Sequence, residues 1–145
     1  MIDFNINSDD LNSQFGKIQG EVNKKIDLKK IYRGVGEVLQ TAVNFQFEEE
    51  GAYLGRKWEP LAASTIERRK KLGKWPGSIM QVTGRLKSSF TYSIVGNSVI
   101  IGTNVSYAKR LHFGIGRMPA RPLFSAMLNE ETKDEIKQVI LKGLG

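Results

Sequence analysis

Two alternating runs that meet at a glycine–asparagine pair constrain this chain more than any other feature. Phe90, Tyr92 and Ile94 share one side of the run 89–95, and Ser98-Val99-Ile100-Ile101-Gly102-Thr103 returns after Gly96-Asn97. A period of two places successive side chains on opposite faces of a strand. Glycine in the first loop position accepts the positive φ that a tight two-residue connection demands. The pattern predicts an antiparallel hairpin over about 89–103. A lone hairpin is marginal in water, so other elements must cover one of its faces.

Those elements are legible on both sides. Ile2, Phe4 and Ile6 alternate as a short strand. Ser8, Asp9 and Asp10 offer capping chemistry for a helix over about 9–26. Its stripe is Leu11, Phe15, Ile18, Val22 and Ile26, weakened by Gly16 and Gly20. Asp27 caps a second helix over about 28–50, with Ile31, Val35, Val38, Leu39, Ala42 and Phe45 apolar and Gly51 at C′. These two helices should pair, or bend one into the other. Tyr107 to Phe113 fits a short helix ended by Gly114. Asn129 caps a last helix over about 129–142, running through Ile136, Val139 and Ile140 and stopped by Gly143. The expected class is α+β: a small antiparallel sheet with its hairpin packed against the N-terminal helices and the C-terminal helix. The 145 residues suit one domain over 1–145.

The residue inventory excludes several chemistries. There is no cysteine, so disulfides, thiolate zinc sites and cysteine nucleophiles are ruled out. His112 is the single histidine, which rules out a centre built on several imidazoles in one chain. The longest aliphatic run, Val99-Ile100-Ile101, is far too short to span a bilayer. The start, Met-Ile-Asp-Phe-Asn-Ile, has neither the basic nor the apolar stretch of a secretion signal. Ser89, His112 and Asp134 have the residue types of a hydrolytic triad, but Ser89 sits at a plain strand start rather than on a sharp elbow. Glu48-Glu49-Glu50 reads as a solvated helix end, and Gly114-Ile115-Gly116 lacks the lysine and hydroxyl of a phosphate loop. No catalytic residue, cofactor or metal is expected.

The charge is concentrated. Nine basic residues and only Glu59 and Glu67 as acids fall within 56–87, whereas the rest of the chain is balanced. Apolar periodicity fades over 51–87, which reads as a basic, mobile loop segment with one short helix in it. Ser64-Thr65-Ile66-Glu67 has the spacing of a capping box. Leu72-Gly73-Lys74-Trp75-Pro76-Gly77 then reads as a loop. Candidate contacts to DNA or a protein partner are Arg68, Arg69, Lys70, Lys71, Lys74 and Trp75, with Arg117 and Arg121 from the loop 116–122. Each has a plainer reading beside it. The basic run can be a solubilising surface, Trp75 can lie over its own domain's edge, and Arg121 can bond carbonyls near the next element. His112 fits a half-buried hydrogen-bonding role.

Taken in order, the motifs resemble the phage virion morphogenesis family, which includes tail-completion proteins. The carriers are Trp58, Pro60 and Leu61, then Trp75-Pro-Gly77, then Thr83-Gly84-Arg-Leu86. They continue with Gly102 at the hairpin's end, Tyr107-Ala108, and Phe113-Gly114. Pro119-Ala120-Arg121-Pro122-Leu123-Phe124 closes the set. His112 stands where that family usually has glutamine. The resemblance implies a structural protein that completes a tail or joins head to tail, without enzymatic activity or cofactor. It implies self-association in a ring, a hexamer where the tail is six-fold, and tail-tube or head–tail connector proteins as partners. It also implies possible contact with packaged DNA, and a passage from the host cytoplasm to the virion. No membrane and no small-molecule substrate are implied. A stand-alone DNA-binding protein using 56–87 is the alternative, although no reader motif is visible. The family's glycines and aromatics are expected to define the fold.

Overall fold

The structure, a computed structural model, describes residues 2–6, 26–81, 83–125 and 128–145. Of the helix expected over about 9–26, only Ile26 is among these, and it lies outside any helix. Strand β1 is Ile2–Ile6 and helix α1 is Leu28–Glu48. A short 3-10 turn, Ala52–Leu54, precedes α2 (Ala63–Lys71) and α3 (Arg85–Ser88). Then come β2 (Thr91–Val95), β3 (Ser98–Thr103), α4 (Ala108–Phe113) and α5 (Glu130–Leu144). The class is α+β.

The hairpin forms as its pattern predicts. Val95 pairs with Ser98 and Thr91 with Gly102, and Gly96 takes φ 58°. β1 pairs antiparallel with the other edge of β3, Ile2 opposite Thr103 and Ile6 opposite Val99, giving the order β1-β3-β2. The strand begins at Thr91 and not at 89. Residues before it close a single helical turn instead, with Gly84 at φ 72° as its N-cap and Ser88 Oγ donating to Gly84 O at 2.9 Å.

α1 lies between the sheet and α5, so its buried stripe is wider than a surface helix needs. Ile31, Val35, Leu39, Ala42, Val43 and Phe47 are all buried. Fully burying the larger of these side chains contributes about 1.5–3 kcal/mol each. Asp27 caps the helix as expected, its Oδ1 accepting from the Lys30 amide at 3.2 Å. At the other end Glu50, not Gly51, occupies C′ with φ 50°. The Glu50 amide bonds Phe47 O and the Gly51 amide bonds Gln46 O, the paired pattern of a Schellman motif.

Glycines set how closely the layers approach. A Cβ at Gly36 would lie 2.3 Å from the Tyr92 ring, on the sheet side. A Cβ at Gly143 would lie 2.3 Å from Ile31 Cγ1, on the α5 side. The expectation that Gly143 stops the last helix is therefore corrected: α5 runs through it to Leu144, and the glycine admits Ile31. Asn129 caps α5, its Oδ1 accepting from the Thr132 amide at 2.9 Å.

The capping box is corrected as well. α2 starts at Ala63, with Ala62 as N-cap and no side-chain cap. Ser64 thus sits inside the first turn, and Thr65 rather than Glu67 occupies the third position. Glu67 instead pairs with Lys70 at 3.0 Å on an exposed face, an arrangement worth only a few tenths of a kcal/mol.

Candidate partner-binding groove

The segment between α1 and β2 carries little helix, yet it is tied to the core at three places. Trp58, Ile79 and Leu86 are all buried. Phe47 meets Trp58 edge-on at a ring-centroid distance of 5.3 Å and Phe90 at 5.9 Å. The polar edges of this cluster are paired. Trp58 Nε1 donates to Pro122 O at 2.7 Å, and Gln46 Nε2 donates to the same carbonyl at 3.1 Å. Gln46 Oε1 accepts from the Leu54 amide at 2.9 Å. Glu50 Oε1 accepts from the Ile79 amide at 2.9 Å, and Gln81 Nε2 donates to Phe47 O at 3.0 Å. The end of α1 thereby fixes both the loop before α2 and the loop after it.

On that frame lies a groove of about 690 Å³ between α2 and the α4 region. Its apolar floor includes Leu61, Met80, Leu86 and Leu111. Met80 holds a left-handed backbone, φ 61°, which costs a non-glycine residue about 1–2 kcal/mol. Four arginines contribute to the lining: Arg68, Arg69, Arg117 and Arg121.

These four divide into two pairs. Arg121 is buried, with Nε donating to Glu59 O and Nη2 to Pro60 O, both at 2.9 Å. It clamps the start of the basic segment to the loop before α5. Arg69 is buried too, with Nη1 donating to Ser78 O at 2.8 Å. Burial, and then the neighbouring Arg68, lower its pKa from the ordinary arginine value, while Glu50 opposes the shift. Arginine stays protonated through such a shift. Arg68 and Arg117 are exposed, and no carboxylate among the described residues pairs with either.

The remaining sequence candidates lie off the groove. Lys71 and Lys74 are exposed and unpaired among the described residues, Lys70 is engaged by Glu67, and Trp75 is 38% exposed. Sequence reasoning missed Met80, Thr65, Leu111 and Met118 in the lining, and the polar pins Gln46, Glu50 and Gln81. Gln46 alone carried a signal, as a polar residue on the apolar stripe of α1.

Nothing in this geometry assembles a triad. Ser89 Oγ lies 2.6 Å from both Leu86 O and Thr103 Oγ1. His112 Nδ1 accepts from the Leu123 amide at 3.1 Å. Asp134 lies exposed on α5. No group of three metal-ligating side chains occurs among the described residues, and no described helix is long and apolar enough to cross a membrane.

The profile of the phage virion morphogenesis family matches residues 6–145. The chain belongs to that family. Neither a curated protein nor a solved structure matches it. Membership gives the chain a structural role in phage assembly. The family motifs fall on the frame just described: Trp58, Arg121 and Pro122 are joined through backbone carbonyls, while Gly84 and Gly114 take φ 72° and 74°. Tyr107, Pro119, Pro60 and Thr83 line the groove with Leu61 and Leu86. Gly102 and Ala108 are buried, whereas Phe113 is 64% exposed beside the groove loop.

Proposed function

We propose that this virion morphogenesis protein completes the phage tail or joins it to the head, acting as a ring that docks on tail-tube or connector proteins. One observation supports the reading best. Arg68 and Arg117, unpaired among the described residues, line a groove with an apolar floor, on a frame pinned by hydrogen bonds within the chain. Such a surface recognises a macromolecule, since its charges are unsatisfied and its apolar area is exposed. A ring needs two different patches on each subunit, because its contacts run head to tail. A hexamer matches a six-fold tail.

Exposed Arg68, Lys71 and Lys74 also favour contact with packaged DNA, and a stand-alone DNA binder is the competing reading. Phosphate neutralisation predicts binding that weakens steeply with salt. A gel-shift series at two salt concentrations separates the two. A dedicated DNA binder retains affinity at moderate salt, whereas a tail protein binds DNA weakly or only once assembled. The reading itself is tested by electron microscopy of lysates from a phage lacking the gene. Free heads and unjoined or uncapped tails are expected. Normal joined particles would refute it.

A further inference from the structure

The groove is positive at its rim and apolar at its floor, and the same chain carries a surface of the opposite kind. On α5, Glu131, Asp134, Gln138 and Leu141 follow at spacings of three and four, so they form one stripe. All four are exposed, and Leu141 keeps 49% of its surface in solvent. No cation among the described residues pairs with Glu131 or Asp134. The inner face of α5 is occupied by α1, through Ile136 and Ile140. The stripe and the groove share no residue.

We propose that the groove receives the outer stripe of α5 from a second copy of this chain, carboxylates meeting Arg68 and Arg117 and Leu141 covering the apolar floor. The inference rests on the ring reading above and names its two patches. Charge complementarity within one sequence selects a copy of itself as occupant. Two distinct complementary patches permit a heterologous contact, the geometry that closes rings. From Asp134 to Leu141 the helix rises about 10 Å, so one helix face delivers both the acid and the apolar group.

Arg69 supplies an independent sign. It lines the groove, is 5% exposed, and its Nε has no acceptor among the described residues. Arg68 and Arg69 are adjacent like charges, and an incoming carboxylate offsets their repulsion. Exposed Tyr107, Phe113 and Ile115 flank the same region and extend the apolar area a partner covers.

The test is a charge swap in the full-length protein, read by sedimentation velocity at low and high salt. Arg68→Glu with Arg117→Glu alters the groove, and Glu131→Lys with Asp134→Lys alters the stripe. All four sites are exposed, and circular dichroism checks folding. Each pair alone should weaken self-association roughly a hundredfold, and the four together should restore it, because like charges across a contact cost several kcal/mol. Wild-type-like association of either folded pair, or no restoration by the four, overturns the proposal. So does groove reversal that abolishes a DNA shift while leaving oligomers intact, which assigns the groove to nucleic acid.

If the free protein is monomeric, the readout moves to assembled particles. The chain has no cysteine, so Arg117→Cys with Asp134→Cys introduces the only thiols. Oxidised particles should yield a ladder of covalent multimers, and each single variant none beyond a dimer. No ladder, in a phage whose gene deletion still blocks tails, overturns this contact alone. Normal particles after deletion overturn the assembly reading beneath it.

Discussion

The indole N–H of Trp58 donates to the carbonyl of Pro122 at 2.7 Å, across a separation of 64 residues. That bond joins the loop after α1 to the loop before α5. Replacing Trp58 with alanine removes a buried ring that packs on Phe47, and should cost about 3–5 kcal/mol in urea unfolding. Trp58→Phe keeps most of the packing and loses the donor. Gln46 still bonds the same carbonyl, which limits that loss to about 1–2 kcal/mol. A Trp58→Phe variant as stable as wild type would show that the indole N–H contributes nothing.

Arg121 is the second clamp. Its guanidinium reaches Glu59 O and Pro60 O from two different nitrogens. A lysine has one terminal nitrogen and cannot reproduce that fork. Arg121→Lys should therefore destabilise by about 1.5–3 kcal/mol, although the formal charge is unchanged. Thermal unfolding monitored by circular dichroism measures this. A melting curve superposable on wild type would mean the clamp is not structural.

The parts of the fold readable in sequence are those decided within a few residues. Gly96-Asn97 fixes the hairpin, and Asp27 and Asn129 fix two helix starts, because turn and cap chemistry is local. Trp58 and Arg121 act across more than sixty positions, and no periodicity encodes such partners. The run from Arg68 to Lys71 shows the same limit at short range. Its charges look equivalent in sequence, but the register of α2 turns Arg69 inward and leaves its neighbours in solvent. Gly143 was ambiguous for a different reason. Glycine ends helices and also admits close neighbours, and only the packing of α5 on Ile31 chooses between them. The groove was half legible: its arginines were visible as charges, whereas its apolar floor is assembled from four separate segments.

Close approach at glycine yields a prediction of opposite sign to helix propensity. Alanine in place of a mid-helix glycine normally stabilises by about 1 kcal/mol. At Gly36 the new Cβ would fall 2.3 Å from the Tyr92 ring, and ring atoms in a packed layer have little room to give. Gly36→Ala should instead destabilise by about 1–3 kcal/mol. Urea midpoints for this variant decide the sign, and a stabilised protein would mean the sheet can move away from α1.

His112 makes stability depend on pH in a defined direction. Burial lowers its pKa below the ordinary imidazole value, and Nδ1 must be unprotonated to accept from the Leu123 amide. The folded state therefore binds this proton less readily than the unfolded chain. Its contribution is fully present above the unfolded value, about pH 6.5. It is lost as pH falls from there through the lower folded value. His112→Gln retains an acceptor and cannot titrate, so it should flatten that part of the profile. An identical slope in the variant would place the titration elsewhere.

The exposed basic surface should separate folding from function. Arg68, Lys71 and Lys74 make no ion pair among the described residues, so replacing all three with glutamine removes no intrachain contact of that kind. Surface changes of this sort shift stability by about 0.5 kcal/mol or less. Arg69, one position from Arg68, is excluded from the set because it is buried on Ser78 O, and its loss would confuse the two readouts. The triple variant should unfold at the wild-type urea midpoint while phage yield falls, because the proposed partner contact uses these exposed charges. Relief of repulsion among neighbouring cations can even raise the midpoint slightly. Wild-type yield from a phage carrying the triple variant would show that this surface only keeps the protein in solution.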